Sequence, residues 1–445
     1  MKIIVAGAGE VGRHLAKMLS RENHNIVVLD TNDEVLANLD SNYDLMTLVG
    51  SPTSIEKLKE AGAGSADLFI AVTPEEGRNI TACMLAAKLG AKKTVARIDN
   101  PEYMQEKHKS FFEQLGIHSL IYPELLAAQE IVNSIKRPWV RQWFEFCEGK
   151  LILVAVKVRS GAPILEKPLS ELFRNENHLR IAAIKRQNKT LIPSGMDMVL
   201  SGDIVYYIAT PNAIETIRKL SGKPSAEVHN VMFMGGSRIA VKSAQMLKDN
   251  YRMKMIEINR SRTEWLTENL DPDTMLIVGD GRDMELLETE GIEEMDAFVA
   301  LTGNSETNIL SCLAAKRFNI RRTIAEVENI DYIPLADSLD IGMIINKKLI
   351  AAGHIYQMML ASDVTSVKSL AFADAEVAEF IVGKKAKITK EQVKDLKLPA
   401  NVSLGGLVRK GKGMLIYGDT QIEEDDHVVV FCPDSTINKI EKLFQ

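Results

Sequence analysis

The first apolar run, Lys2–Ala6, shows no polar alternation. It ends in a glycine-rich turn and gives way to a stretch in which Val11, Leu15, Met18 and Leu19 recur at helical spacing. The same change of period continues along the chain. Strands are predicted at Asn25–Asp30, Leu45–Val49, Leu68–Val72 and Thr94–Ile98, and helices at Asp33–Leu39, Ile55–Ala61 and Asn79–Leu89. Strands alternating with helices imply βαβ units, and strands without a polar face need cover on both sides. The predicted class is therefore α/β, with a Rossmann-like, doubly wound parallel sheet. Residues Leu151–Leu220 read differently. LILVAVKV, LRIAAIKR and DIVYYIA are β-like runs, with Pro211–Leu220 as a helix, and they predict a small α+β lobe.

The whole pattern then repeats. KIIVAGAGEVGRHLAKML from Lys2 matches NVMFMGGSRIAVKSAQML from Asn230, so Gly7 pairs with Gly235 and Asp30 with Glu257. Gly50 pairs with Gly279, Thr73 with Thr302, Asn79 with Asn308 and Cys83 with Cys312. Ala375–Phe444, with EVAEFIV, LGGLVRKG, HVVVFC and a helix over Ser435–Phe444, repeats the α+β lobe. Four segments follow: residues 1–137 and 228–363 as N-lobes with crossover helices, and 138–222 and 364–445 as C-lobes. Joints are expected near Lys136–Pro138, Ser221–Pro224 and Ser362–Thr365, with Gly222–Ser225 the strongest linker signal. Ser110–Lys136 and Pro334–Leu360 are predicted as long crossover helices. Their apolar stretches (Leu120-Ile121, Leu125-Leu126, Ile131-Val132, Ile344-Ile345, Leu349-Ile350) read as dimer core. Asp203 and Asp426 read as turn residues ahead of strands, with a small-ligand or ion site as the alternative.

With 445 residues the chain is too long for one core. Its net charge of −6 argues against a nucleic-acid partner, which would show as a basic stripe. No apolar run approaches the ~18 residues of a membrane span. The N-terminal run passes straight into glycines, so it reads as a buried strand and not a secretion signal. The four cysteines are scattered and read as buried thiols of a reducing cytoplasm. No Cys or His spacing predicts a metal site.

Gly7-Ala8-Gly9-Glu10-Val11-Gly12 is a GxGxxG turn that follows a strand and opens a helix, and Asp30 closes the next strand 18 positions after Gly12. That context points to a dinucleotide cradle. Gly7 permits the turn, Gly9 admits a pyrophosphate against the backbone, and Gly12 lets the helix pack closely. The helix N-terminus then offers N–H groups and its dipole to phosphate. Asp30 suits the two ribose hydroxyls and would repel a 2′-phosphate, which favours NAD(H) over NADP. Ser51 and Thr73 end the third and fourth strands and line the adenosine side. Arg97, ending the fifth, reaches either a phosphate or a surface salt-bridge partner. A packing-only glycine turn with Asp30 as a helix cap remains the alternative. In the second copy, Gly235, Gly236, Ser237 and Glu257 occupy the equivalent positions, but Ser237 adds bulk beside the phosphates and Ala240 replaces the third glycine. Glu326 replaces Arg97, a charge reversal expected to repel phosphate. This predicts either a weaker, altered nucleotide site or an empty structural lobe.

These residues resemble the TrkA-type regulators, the peripheral components of Trk potassium uptake systems. The resemblance rests on VAGAGEVG, VVLD, GSPTS, FIAVT and KKTVARIDNPEY in the first N-lobe, and on IAAIKR, IPSG and SGDIVYYI in the first C-lobe. It covers essentially the whole chain. It implies duplicated RCK (regulator of potassium conductance) units that form a cytoplasmic homotetramer ring under a membrane-embedded potassium-translocating subunit, at the inner face of the membrane, without enzymatic activity. It also implies that Gly7 through Val11, Asp30, Ser51, Thr73 and Arg97 hold NAD(H), with ATP or ADP as alternatives at the same site, and that Gly235, Gly236 and Glu257 form the second. The rival readings are an NAD-dependent oxidoreductase and a nucleotide sensor for a different transporter. The first needs a proton-transfer residue beside the nicotinamide, and His178 and His427 do not correspond between copies.

Overall fold

The computed structural model describes residues 1–20, 24–173, 177–187, 189–225, 227–359, 364–369, 376–399, 402–432 and 437–445. The first N-lobe runs β1 (Lys2–Ala6), α1 (Glu10–Leu19), β2 (Asn25–Asp30), α2 (Asp33–Asp40), β3 (Met46–Val49), α3 (Ile55–Glu60), β4 (Leu68–Ala71), α4 (Glu76–Leu89), β5 (Lys93–Arg97), α5 (Glu106–Gln114), β6 (Ser119–Ile121) and α6 (Pro123–Lys136). Its strands form one parallel sheet in the order β3-β2-β1-β4-β5-β6, with β1 between β2 and β4. Ile3, Ile4, Val5 and Ala6 are all fully buried, as cover on both faces requires.

The first C-lobe follows as β7 (Gln142–Phe146), β8 (Leu151–Lys157), α7 (Leu169–Leu172), β9 (Leu179–Arg186), β10 (Lys189–Leu191), β11 (Ile204–Ala209) and α8 (Ile214–Leu220). The second N-lobe repeats the first: β12 (Asn230–Met234), α9 (Arg238–Leu247), β13 (Arg252–Glu257), α10 (Thr263–Asn269), β14 (Met275–Val278), α11 (Met284–Thr289), β15 (Ala297–Ala300), α12 (Ser305–Lys316), β16 (Arg322–Glu326), α13 (Ile333–Ser338), β17 (Met343–Ile345) and α14 (Lys347–Met359). Its sheet order, β14-β13-β12-β15-β16-β17, repeats that of the first. The second C-lobe holds β18 (Val364–Ser369), β19 (Glu376–Ile381), β20 (Ser403–Arg409), β21 (Lys412–Leu415), β22 (His427–Cys432) and α15 (Ile437–Phe444). Ser435 of the expected last helix, Leu360 of the expected second crossover and Ser362 of the expected third joint lie outside the described residues.

The four lobes form two compact units, and in each unit a segment of the first half pairs with one of the second. One unit joins Met1–Ile135 to Val228–Met359 and is described first. Here the crossovers depart from the expected long helices: each runs helix, strand, helix. Gly116 has φ +83 after α5, which ends the helix, and Leu120-Ile121 becomes part of β6, an added strand beside β5. Asp340 and Gly342, both at positive φ, do the same before β17. The helix after each added strand belongs to the opposite lobe. Ala127, Ala128, Ile131, Val132 and Ile135 of α6 are buried in one core with Val231 and Phe233 of β12 and Ile239 of α9. In return, α14 packs against α1. Burying Ile131, Val132 and Ile135 contributes about 1.5–3 kcal/mol each. The expected dimer core is therefore a pairing of the two halves of one chain. Arg322 Nε, buried, donates to Ser134 Oγ at 2.7 Å across that contact.

The second unit joins Lys136–Glu227 to Leu360–Gln445. It holds two five-stranded sheets, ordered β10-β9-β11-β8-β7 and β18-β19-β22-β20-β21. The paired strands of both are antiparallel. Leu153, Tyr206 and Ile208 of the first sheet share a core with Val377, Val429 and Phe431 of the second. The alternate residues Val154, Val156 and Tyr207 pack beneath α8 with Ile217. Both faces are thus covered, which is why β8 and β11 lack the usual polar alternation of antiparallel strands.

Candidate functional site

The GxGxxG turn lies at the carboxyl edge of the first parallel sheet, where strand order reverses between β1 and β4, the usual ligand crevice of such sheets. Gly7 has φ +109, and a Cβ there would lie 2.9 Å from Thr73 N. A Cβ on Gly12 would lie 1.8 Å from the Gly7 carbonyl oxygen. A Cβ on Gly9, by contrast, would meet nothing within 4 Å. Gly9 is the N-cap of α1 and no side chain caps the helix there. The turn therefore leaves helix N–H groups facing open space, as anion binding requires.

Asp30 ends β2 beneath this turn. Its Oδ2 accepts from Ala8 N at 2.5 Å and its Oδ1 from Asn32 N at 2.9 Å. Asn32, not Asp30, is the cap of α2, accepting from Val35 N at 3.2 Å. Each Asp30 oxygen thus spends one lone pair on the backbone and keeps another for an incoming hydroxyl. Ser51 Oγ is 2.9 Å from Thr53 Oγ1. Arg97 turns to Asp99, 3.4 Å away, so its side chain adopts the salt-bridge arrangement.

Thr73 is buried, and its hydroxyl donates inward to Asn79 Oδ1 at 2.6 Å. It forms the wall behind Gly7. Asn79 is the residue that sequence reasoning left without a role. Fully buried, it accepts from Thr73 N and donates to the carbonyls of Thr73 and Arg97, joining the ends of β4 and β5. Asn308 repeats these bonds with Thr302 and Glu326. The signal was present in the repeat, which carries asparagine at both positions.

The exchanged helices bring each glycine turn against the opposite lobe. Lys348, at the start of α14, pairs with Glu10 of the first turn and with Glu328, 3.3 Å away. Burial holds the Lys348 ammonium below the usual lysine range. At the second turn Arg238 stands in place of Glu10 and faces an acid of the opposite lobe, Asp99, at 3.8 Å. A cleft of about 690 Å³ opens beside α1, bordered by Glu10, Arg13 and Lys17 on one side and by Asn304, Glu328 and Lys348 on the other.

The second turn is closed by its own residues. Ser237 Oγ accepts from Ala240 N at 3.2 Å and so caps α9. Glu257 accepts the same two backbone bonds as Asp30, from Gly236 N at 2.9 Å and Asn259 N at 2.8 Å, but unlike Asp30 it is buried. Arg262 donates to the Gly236 carbonyl at 2.8 Å. Glu326 is the charge reversal expected at the end of the fifth strand of this copy. It is buried and directed at Lys347, 3.3 Å away, and burial raises its carboxyl above the usual range. Burial opposes the Lys347 charge, but Glu326 and Glu328 outweigh it and the lysine titrates above its usual range.

In the C-lobe unit, Asp203 and Asp426 are buried immediately before β11 and β22. Asp203 Oδ2 accepts from Arg186 Nη2 and from Leu200 N, both at 2.8 Å. Asp426 accepts from Arg409 and from Glu423 N. These are turn locks whose carboxylates are already occupied by guanidinium.

Comparison with known proteins agrees in extent with the duplication. The TrkA-N domain family matches residues 3–123 and 231–347, and the TrkA-C domain family matches 153–222 and 377–445. The chain is 34% identical over 453 residues to a Trk system potassium uptake protein TrkA of Vibrio alginolyticus, spanning all of this chain and 99% of the relative. It is 33% identical to the TrkA of Haemophilus influenzae over the same extent. Among solved structures, the GsuK RCK domain superposes with a TM-score of 0.62 at 16% identity, covering all of this chain and 94% of that one. The GsuK channel bound to NAD gives the same TM-score and identity, covering 99% and 78%. Among the described residues no helix is long and apolar enough to cross a membrane.

Proposed function

Because the chain belongs to the TrkA family of potassium uptake proteins, with two tandem TrkA-N/TrkA-C repeats, we propose that it is the nucleotide-sensing regulatory subunit of a membrane potassium transporter, with NAD(H) or an adenine nucleotide bound at the first glycine turn. The observation that carries this reading is the uncapped N-terminus of α1, open above Gly9 and flanked by Asp30. The phosphate chain lies on the N–H groups after Gly9, the ribose on Asp30, and the adenosine toward Ser51 and the wall formed by Thr73. Lys348 lies within reach of the phosphates through Glu10, which brings the opposite lobe into contact with the ligand. Arg97 leaves Asp99 when a phosphate is present.

Ligand binding can shift a regulatory assembly only through unequal affinity for two arrangements. The Glu10–Lys348 contact supplies such a difference, because an anion at the α1 N-terminus competes with Glu10 for the lysine. The transporter partner is a membrane-embedded potassium-translocating subunit. The chain acts on it from the cytoplasmic side as a homotetramer ring. The second turn, capped by Ser237 and facing Asp99, is the weaker or purely structural site.

Calorimetry with NAD, NADH, ATP and ADP tests the reading: at least one should bind with a stoichiometry of about one per chain. If none binds, the sensor reading fails. Ser237→Gly should remove the internal cap of α9 at a stability cost of a few tenths of a kcal/mol. It should leave the first site unchanged, and a rise in stoichiometry toward two would identify the cap as what closes the second. Pull-down of an integral potassium transporter from membranes tests the partner, and its absence would favour a different target.

A further inference from the structure

Cys147, Glu379 and His427 meet in the C-lobe unit, with one ligand atom of each within 4.8 Å of the others. Cys147 and Glu379 are 232 positions apart in the chain, and Glu379 and His427 are 48 apart. No spacing motif could have announced the group; the sheet register assembles it. Glu379 of β19 lies opposite Val429 of β22, two residues from His427, so the two side chains are diagonal neighbours on one face. Cys147 comes from the other C-lobe, in the turn between β7 and β8, where φ is +51. Phe146, Leu151, Val377, Val429 and Phe431 form the surrounding apolar core.

The group is held ready by its own bonds. Glu379 Oε2 accepts from Cys147 N at 2.8 Å, and Glu379 Oε1 lies 2.9 Å from His427 Nδ1. The Glu379 side chain is 3% exposed, while that of His427 is 37% exposed and gives the group a route to solvent.

We propose that Cys147, Glu379 and His427 form a binding site for a transition-metal dication of zinc-like preference, which ties the first C-lobe to the second. The donor set decides the class of ion. Sulfur, nitrogen and one carboxylate oxygen are the ligands of four-coordinate Zn2+, whereas Mg2+ and Ca2+ need six or more oxygens. Three protein donors leave the fourth position to water. Metal–ligand distances of 2.0–2.3 Å in a tetrahedron place the donors roughly 3.5 Å apart, so the group closes slightly on the ion, and the half-exposed His427 ring can supply the movement. As the sulfur–metal bond forms, the thiol proton passes to bulk water; the imidazole proton shared between His427 Nδ1 and Glu379 moves to Nε2, and the freed Nδ1 and carboxylate oxygen each bond the metal. No group is oxidised or reduced.

The test uses the full chain, stripped with a chelator and titrated with Co2+, then with Zn2+. One Co2+ per chain should bind with tetrahedral d–d bands and a thiolate-to-cobalt charge-transfer band, and Zn2+ should abolish both. Cys147→Ser should remove the charge-transfer band although Cys83, Cys312 and Cys432 remain. His427→Gln should weaken binding at least about tenfold. Should Cys147→Ser fail to fold, His427→Gln decides, since it alters a half-exposed ring at the start of a strand. Absence of the charge-transfer band in the native chain would leave a hydrogen-bonded triad only and overturn the proposal. Unchanged Co2+ affinity in His427→Gln would do the same. Neither outcome depends on nucleotide binding, because the cluster lies in the unit without the glycine turns.

Discussion

Asp30→Ala is expected to weaken nucleotide binding about 100-fold, a loss of about 2.7 kcal/mol, measured by calorimetry with whichever of NAD, NADH, ATP and ADP binds the native chain. Two hydroxyls bonded to a carboxylate in a partly buried crevice account for a loss of that size, since hydrogen bonds to charged groups contribute about 1.5–3 kcal/mol each. The substitution also removes the acceptor for Ala8 N and Asn32 N. The turn should therefore loosen even without ligand, at a cost of about 1–3 kcal/mol in the first N-lobe. Glu257→Ala is the matched control. It deletes the equivalent carboxylate, whose bonds to Gly236 N and Asn259 N hold the second turn, and should lower stability while leaving the measured affinity intact. An Asp30→Ala protein that binds within twofold of the native chain would show that the ligand does not lie over this carboxylate.

Gly12→Ala should have the second large effect, losing most nucleotide affinity and about 1–3 kcal/mol of stability by overpacking. The added methyl would be placed 1.8 Å from the Gly7 carbonyl oxygen, a backbone atom that can move only if the turn moves. The second lobe shows where it would go: Ala240 is fully buried at the equivalent position, and its N–H is taken by Ser237. The alanine should thus push α1 away from Gly7 and spoil the spacing of N–H groups after Gly9. Differential scanning calorimetry and nucleotide titration together give the answer. Native-like affinity in Gly12→Ala would mean that the phosphates do not depend on the close approach of α1. Ala240→Gly should leave the first site unaltered.

Much of this was legible because the signals are local. Val11, Leu15 and Leu19 recur at one helical face, β1 and β4 are apolar without alternation, and the pairing of Gly7 with Gly235 and Asp30 with Glu257 marks the duplication. The glycine turn could be read residue by residue because backbone geometry dictates Gly7 and Gly12 wherever the helix packs this closely on the strand. The crossovers were misread because Leu120-Ile121 and Ile344-Ile345 are too short to separate a strand from a helix by period alone. What made them strands was an open edge beside β5 and β16.

The sequence by itself determined two copies of a Rossmann-like lobe and an α+β lobe, and a GxGxxG turn intact in the first copy and altered in the second, because periodicity and glycine placement act over a few residues. Only the tertiary structure decided that α6 completes the opposite lobe's core, that Lys348 faces one glycine turn and Asp99 the other, that Glu326 is buried against Lys347, and that Cys147 meets Glu379 and His427. Those pairings join residues far apart along the chain. They are selected by which apolar faces remain to be covered once each sheet has formed, and no local pattern carries that information.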